Sequence, residues 1–96
     1  MTASQSANLQ GDVVVIIGAS RGLGRAIAEA FGARGARVVV NYRSDDAAAG
    51  ETVAAVKDAH EAADAIAVQA DASDPEAIDR LFERVDEVYG RVDVFV

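Results

Sequence analysis

The sequence predicts an α/β fold, a doubly wound parallel sheet present as its βαβαβαβ portion, and three observations predict it. Short runs of branched apolar residues alternate with segments of helical period along the chain. The runs are apolar at successive positions, as in strands covered on both faces. Glycines stand where strand meets helix and where helix ends. Strands separated by helices pair in parallel through right-handed crossovers, with helices on both faces. The expected strand order is 3-2-1-4.

Residues 1–10, MTASQSANLQ, read as a flexible tail, and residues 11–96 as one partial domain. Val13–Ile17 is the first strand. Leu23, Ile27, Ala30 and Phe31 fall at helical spacing, so a helix runs from about Leu23 to Arg34, closed by Gly35. Arg37–Tyr42 is the second strand. Ser44 caps the next helix, and Asp45 and Asp46 suit its positive first turn. Ala49, Val53, Val56 and His60 mark the inner face of that helix, and Ala65–Gln69 forms the third strand.

Ser73 and Glu76 have capping-box spacing, with Pro75 in the first turn. Ile78, Leu81, Phe82, Val85, Val88 and Tyr89 then give the clearest helical stripe, ended by Gly90. Val92–Val96 begins a fourth strand, at the edge of the expected sheet. An apolar, unpaired edge invites association, so the chain alone is expected to be marginal or to pair through it.

The composition excludes several function classes. The 96 residues carry a net charge of −7, which disfavours nucleic acid and anionic membranes as partners. There are no cysteines, hence neither disulfides nor thiolate metal sites. No apolar run approaches the ~18 residues of a membrane span, and the first ten residues lack the pattern of a secretory signal. A cytoplasmic location is the expectation. His60 is the only histidine and has no second ligand nearby, so no metal site is expected. Asp58, Glu61 and Asp64 read as a solvated acidic stretch.

The glycines carry the functional signal. Gly18, Gly22 and Gly24 have the spacing G-x-x-x-G-x-G between the first strand and the first helix. A strand that hands directly to a helix leaves free N–H groups at the positive end of a dipole, which favours an anion. Glycine supplies the room and the unusual φ values a diphosphate needs to approach. The structural alternative is a tight turn with close helix–strand packing. A buried strand before the loop and a periodic helix after it favour a dinucleotide-binding, Rossmann-like domain.

The cofactor is read from the end of the second strand. Folds that take NAD place an acid there for the ribose hydroxyls. Here Tyr42 ends the strand, Arg43 follows, and no acid lies between Val38 and Ser44. A 2′-phosphate adds about two negative charges that guanidinium groups suit. Arg21 and Arg43 therefore read as a clamp, with Ser44 adding a hydroxyl, and NADP is expected over NAD. Alternatively, Arg43 merely solvates a loop and Arg21 caps a surface. Asp71 follows the third strand, placed to accept from an adenine amino group beside the Ala72 backbone, or merely to brace its loop.

IGASRGLGRAIAEAF, VVVNYRS, QADASDPEAI and GRVDVFV together resemble the amino-terminal half of short-chain dehydrogenases/reductases, and within them the 3-oxoacyl-acyl-carrier-protein reductases. The likeness covers Leu9–Val96, with Ile17 standing where the family usually has Thr. The resemblance implies cofactor binding by Gly18, Ser20, Arg21, Gly22, Leu23, Gly24, Tyr42, Arg43, Ser44, Asp71 and Ala72. It also implies a homotetramer acting on a small carbonyl substrate or an acyl-carrier-protein thioester. The family's N-N-A-G, its later Ser and its Y-x-x-x-K would follow Val96. Tyr42 and Tyr89 have Asp46 and Asp93 four residues on, and Lys57 is the only lysine, so no catalytic residue is assigned. The enzyme reading stands beside a nucleotide-binding module without chemistry and a remnant acting only as an interaction surface.

Overall fold

Four successive branched residues with both faces buried belong in the middle of a sheet, and Val13–Ile16 lies there. The computed structural model describes residues 8–96. In chain order its elements are β1 (Val13–Ile16), α1 (Gly22–Gly32), β2 (Arg37–Tyr42), α2 (Asp46–Ala59), β3 (Asp64–Gln69), α3 (Pro75–Val88) and β4 (Val94–Phe95). The strands form one parallel sheet in the order β3-β2-β1-β4, as the alternation predicts.

Alternate residues of each strand feed two cores. Val14, Ile16, Val38, Val40 and Ala65 pack with Ala28, Ala49 and Val56 of α1 and α2. Val13, Val15 and Val39 pack on the other face with Ala77, Leu81 and Val85 of α3. The two helices on the first face approach closely because Gly32 has no side chain. A Cβ there would stand 2.9 Å from Val56 Cγ1.

Several local expectations are corrected. Residues 8–10 do not trail away. Leu9 packs on the first core, its N–H donates to Arg34 O, and Leu9 O accepts from the Asp12 N–H. Residues 1–7 of the expected tail lie outside the described residues. Helix α1 starts at Gly22 and ends at Gly32, and Leu23 is 78% exposed, not on the inner face. Asp45, not Ser44, caps α2, its side chain accepting from the Ala48 N–H at 2.9 Å. Asp74, not Ser73, caps α3, its side chain accepting from the Glu76 N–H. In both places the carboxylate one residue nearer the helix reaches the free N–H groups first.

His60 lies beyond α2 in extended backbone, its Nδ1 accepting from the Ala62 N–H. Thr52, unnoticed in the sequence, is fully buried on the inner face of α2. Asp64 is not merely solvated: the Tyr89 hydroxyl donates to its Oδ2 at 2.8 Å, joining β3 to the end of α3. Burial, reinforced by Asp64, pushes the Tyr89 phenol well above its ordinary value. The Arg37 guanidinium lies over that ring, 5.3 Å from its centre.

Strand β4 is short and, among the described residues, pairs only with β1. Asp93 fixes its start, Oδ2 accepting from the Val13 N–H while Oδ1 accepts from Arg91. Those bonds, the one from Arg91 foremost, hold the Asp93 carboxyl below its usual range. On either side of it Val92, Phe95 and Val96 are exposed, with Phe95 resting on Phe82 at 5.5 Å between ring centres.

Candidate functional site

Parallel pairing places the ends of β1, β2 and β3 side by side on one edge of the sheet. Every predicted site residue lies on the three segments that leave this edge. Residues 17–24 lead into α1, Tyr42–Asp45 into α2, and Ala70–Asp74 into α3.

The first segment is an open cradle. Gly18 and Gly22 have φ of 67° and 63°, and a Cβ at either would meet nothing within 4 Å. Gly24 is different, since a Cβ there would fall 2.1 Å from the Gly18 carbonyl oxygen. Two glycines therefore leave space toward solvent, and the third lets helix and loop touch. Arg21 occupies the N-cap position in extended backbone and supplies no side-chain cap. The Arg25 N–H bonds Arg21 O at 3.4 Å, whereas Gly22, Leu23 and Gly24 precede that bond and present the unpaired N–H groups of a helix start. The exposed Leu23 side chain belongs to this outward-facing first turn.

Two buried polar side chains fix the cradle. Asn41 is 2% exposed near the end of β2. Its Oδ1 accepts from the Gly18 N–H at 3.1 Å, and its Nδ2 donates to Val68 O and Ala70 O. Only one orientation of the amide satisfies an N–H on one side and two carbonyls on the other. The Asn41 carbonyl also accepts from the Ala19 N–H. One residue thus ties the glycine loop to the loop that carries Asp71. Thr52 Oγ1 lies within hydrogen-bond distance of Ser20 O, at 3.1 Å, and of Ala48 O. It anchors the middle of the glycine loop to α2. Neither residue belongs to a motif; a lone Asn in an apolar strand and a lone Thr on an apolar helix face were the available signals.

The charged groups come in pairs. Arg21 Nη2 donates to Asp45 Oδ2 at 2.5 Å, linking the first segment to the second. Arg43 is 81% exposed by side chain and stands 3.9 Å from Asp71 Oδ2, linking the second to the third. Its backbone carbonyl accepts from Gln69 Nε2. Asp71 Oδ1 accepts from both the N–H and the hydroxyl of Ser73, so Asp71 does brace its loop. Those two bonds, aided by Arg43, hold its carboxyl below the usual range. Oδ2 remains turned toward Arg43, and Ala72 beside it is exposed. Tyr42 ends β2 half-buried, with the Asp46 carboxylate raising its phenol. Ser44 is exposed between Arg43 and the capping Asp45.

This arrangement suits an extended anionic ligand. Free N–H groups and a helix N-terminus face the cradle, and two guanidinium groups stand at the neighbouring strand ends. A separate apolar hollow of about 280 Å³, lined by Leu9, Ala30, Phe31 and Arg34, sits at the far end of α1. It lacks the convergent polar groups of the strand-end loops.

Residues 12–96 match the family model described as short chain dehydrogenase. The 3beta-hydroxysteroid dehydrogenase 1 of Eggerthella lenta is 49% identical over 89 residues, covering 93% of this chain and 33% of that protein. A versicolorin reductase of Emericella nidulans is 43% identical over 94 residues, covering 98% of this chain and 35% of that one. The crystal structure of a short chain dehydrogenase from Burkholderia cenocepacia in complex with NADP superposes with a TM-score of 0.84 at 37% identity. That superposition covers 93% of this chain and 36% of that one. The chain therefore spans about a third of the length of the relatives it matches.

Proposed function

The chain belongs to the short-chain dehydrogenase family, and from that premise we propose that it is the cofactor-binding part of an NADP(H)-dependent oxidoreductase that reduces a carbonyl to an alcohol. The observation that carries this reading is the cradle of Gly18, Gly22 and Gly24 beside Arg21 and Arg43. The N–H groups of Gly22, Leu23 and Gly24 would hold the diphosphate, with Ser20 lining the loop. Arg21, Arg43 and Ser44 would hold the 2′-phosphate, beside Tyr42. Asp71 and Ala72 would meet the adenine. When bound, the nicotinamide supplies the hydride chemistry. The residues of this chain bind and orient the other end of the molecule.

A small ketone of the 3-oxoacyl kind, free or as an acyl-carrier-protein thioester, is the substrate class proposed, acted on by a homo-oligomer. The catalytic Ser, Tyr and Lys are proposed to lie outside these 96 residues. The NADP complex of the Burkholderia cenocepacia protein supports the cofactor assignment.

The test is Arg43→Asp. Charge-assisted bonds to a phosphate are worth about 1.5–3 kcal/mol each, so NADPH binding is expected to weaken about tenfold or more. NADH binding should change little. Equal losses for both, measured by calorimetric titration, would overturn the clamp.

A further inference from the structure

We propose that Asp45 is a specificity-determining residue that competes with the cofactor's 2′-phosphate for Arg21 and so limits the preference for NADP over NAD. The proposal rests on the NADP reading above and assigns a role to a residue outside the glycine loop and outside the arginine clamp.

Three observations carry it. Asp45 Oδ2 accepts directly from Arg21 Nη2 at 2.5 Å, so one arm of the clamp is already engaged. Asp45 cannot easily give way, because its Oδ1 caps α2 through the Ala48 N–H at 2.9 Å. Swinging the carboxylate aside would uncap the helix. Arg21, by contrast, has no other side-chain partner among the described residues, and its side chain is 72% exposed. The guanidinium is thus the movable partner and the carboxylate the fixed one.

A dianionic phosphate arriving at Arg21 must either take it from Asp45 or sit beside the carboxylate that still holds it. Either way the bound 2′-phosphate is penalised. A nucleotide without that phosphate meets no such cost. The pairing of Arg43 with Asp71 is looser, at 3.9 Å, so Asp45 is the stronger brake.

The experiment is a calorimetric titration of the protein with NADPH and with NADH, for wild type, Asp45→Asn and Asp45→Ser. Asn and Ser both cap helices well, so both variants remove the charge and keep the cap. Each variant is expected to bind NADPH about fivefold more tightly, the scale of one exposed ion pair, with NADH affinity unchanged. The gain should shrink at high salt. It should also shrink when Arg21→Ala is added, since the competition runs through Arg21. A wild type that prefers NADPH, joined with variants whose preference is unchanged or smaller, overturns this proposal alone. So does a gain that persists undiminished in Arg21→Ala. A wild type that binds both cofactors alike overturns the NADP reading, and this proposal with it.

Discussion

Replacing Asn41 by Leu is expected to loosen the glycine loop and the Asp71 loop together. The side chains are similar in size, so packing is little changed. The Gly18 N–H loses its partner, and the Val68 and Ala70 carbonyls lose the amide donor. A buried polar group left without a partner costs about 1–3 kcal/mol. The expected loss is about 3 kcal/mol in all, within the range of a broken buried network. For a domain of this size that lowers the melting temperature by at least about 10 °C. Nucleotide affinity should fall in step, because both loops that flank the adenine end lose their common anchor. A melting curve that does not move would show that the amide network does not hold the loops.

The second large effect is expected at Gly24. An added Cβ would collide with backbone atoms only, namely the carbonyl oxygen and carbon of Gly18 and Cα of Ala19. Backbone cannot rotate out of the way as a side-chain end can. Gly24→Ala should therefore drive the glycine loop off the start of α1, cost several kcal/mol and abolish nucleotide binding. Two comparisons isolate the cause. Gly22→Ala meets open space but a φ of 63°, so it should cost only about 1–2 kcal/mol. Gly50→Ala, in the interior of α2 with nothing near it, should be neutral or stabilise by up to about 1 kcal/mol. Equal melting temperatures for the Gly24 and Gly22 variants would contradict the steric argument.

The architecture was legible because period and punctuation agree along the chain. Val13–Ile16 and Val38–Val40 are apolar at every position, as a strand covered on both faces requires. Gly35 and Gly90, read as helix stops, both have positive φ. The cap residues were less legible. Ser44 precedes Asp45 and Ser73 precedes Asp74, and either neighbour satisfies the same local rule. The exact phase of the helix start decides between them.

Leu23 misled for a related reason: it fits the apolar period of α1, but the first turn projects past the sheet edge. The polar groups that shape the site were the hardest to see. Asn41 and Thr52 interrupt apolar patterns, and the loop partners they hold lie 23 to 32 residues away in sequence. The charge pairing of Arg21 with Asp45 was hidden in the same way. Each arginine was legible as a phosphate ligand, yet the carboxylate facing it depends on which loops the sheet order makes neighbours.

The central claim is that the loops at the ends of β1, β2 and β3 form a dinucleotide seat. The most direct measurement is an NMR titration of the backbone amides with NADPH. The account predicts saturable shifts at Gly22, Leu23 and Gly24, with further shifts at Arg43, Ser44, Asp71 and Ala72. Residues around the hollow of Leu9 and Phe31 should stay still. Saturable binding that leaves the glycine-loop amides unmoved, or no saturable binding at all, would contradict it.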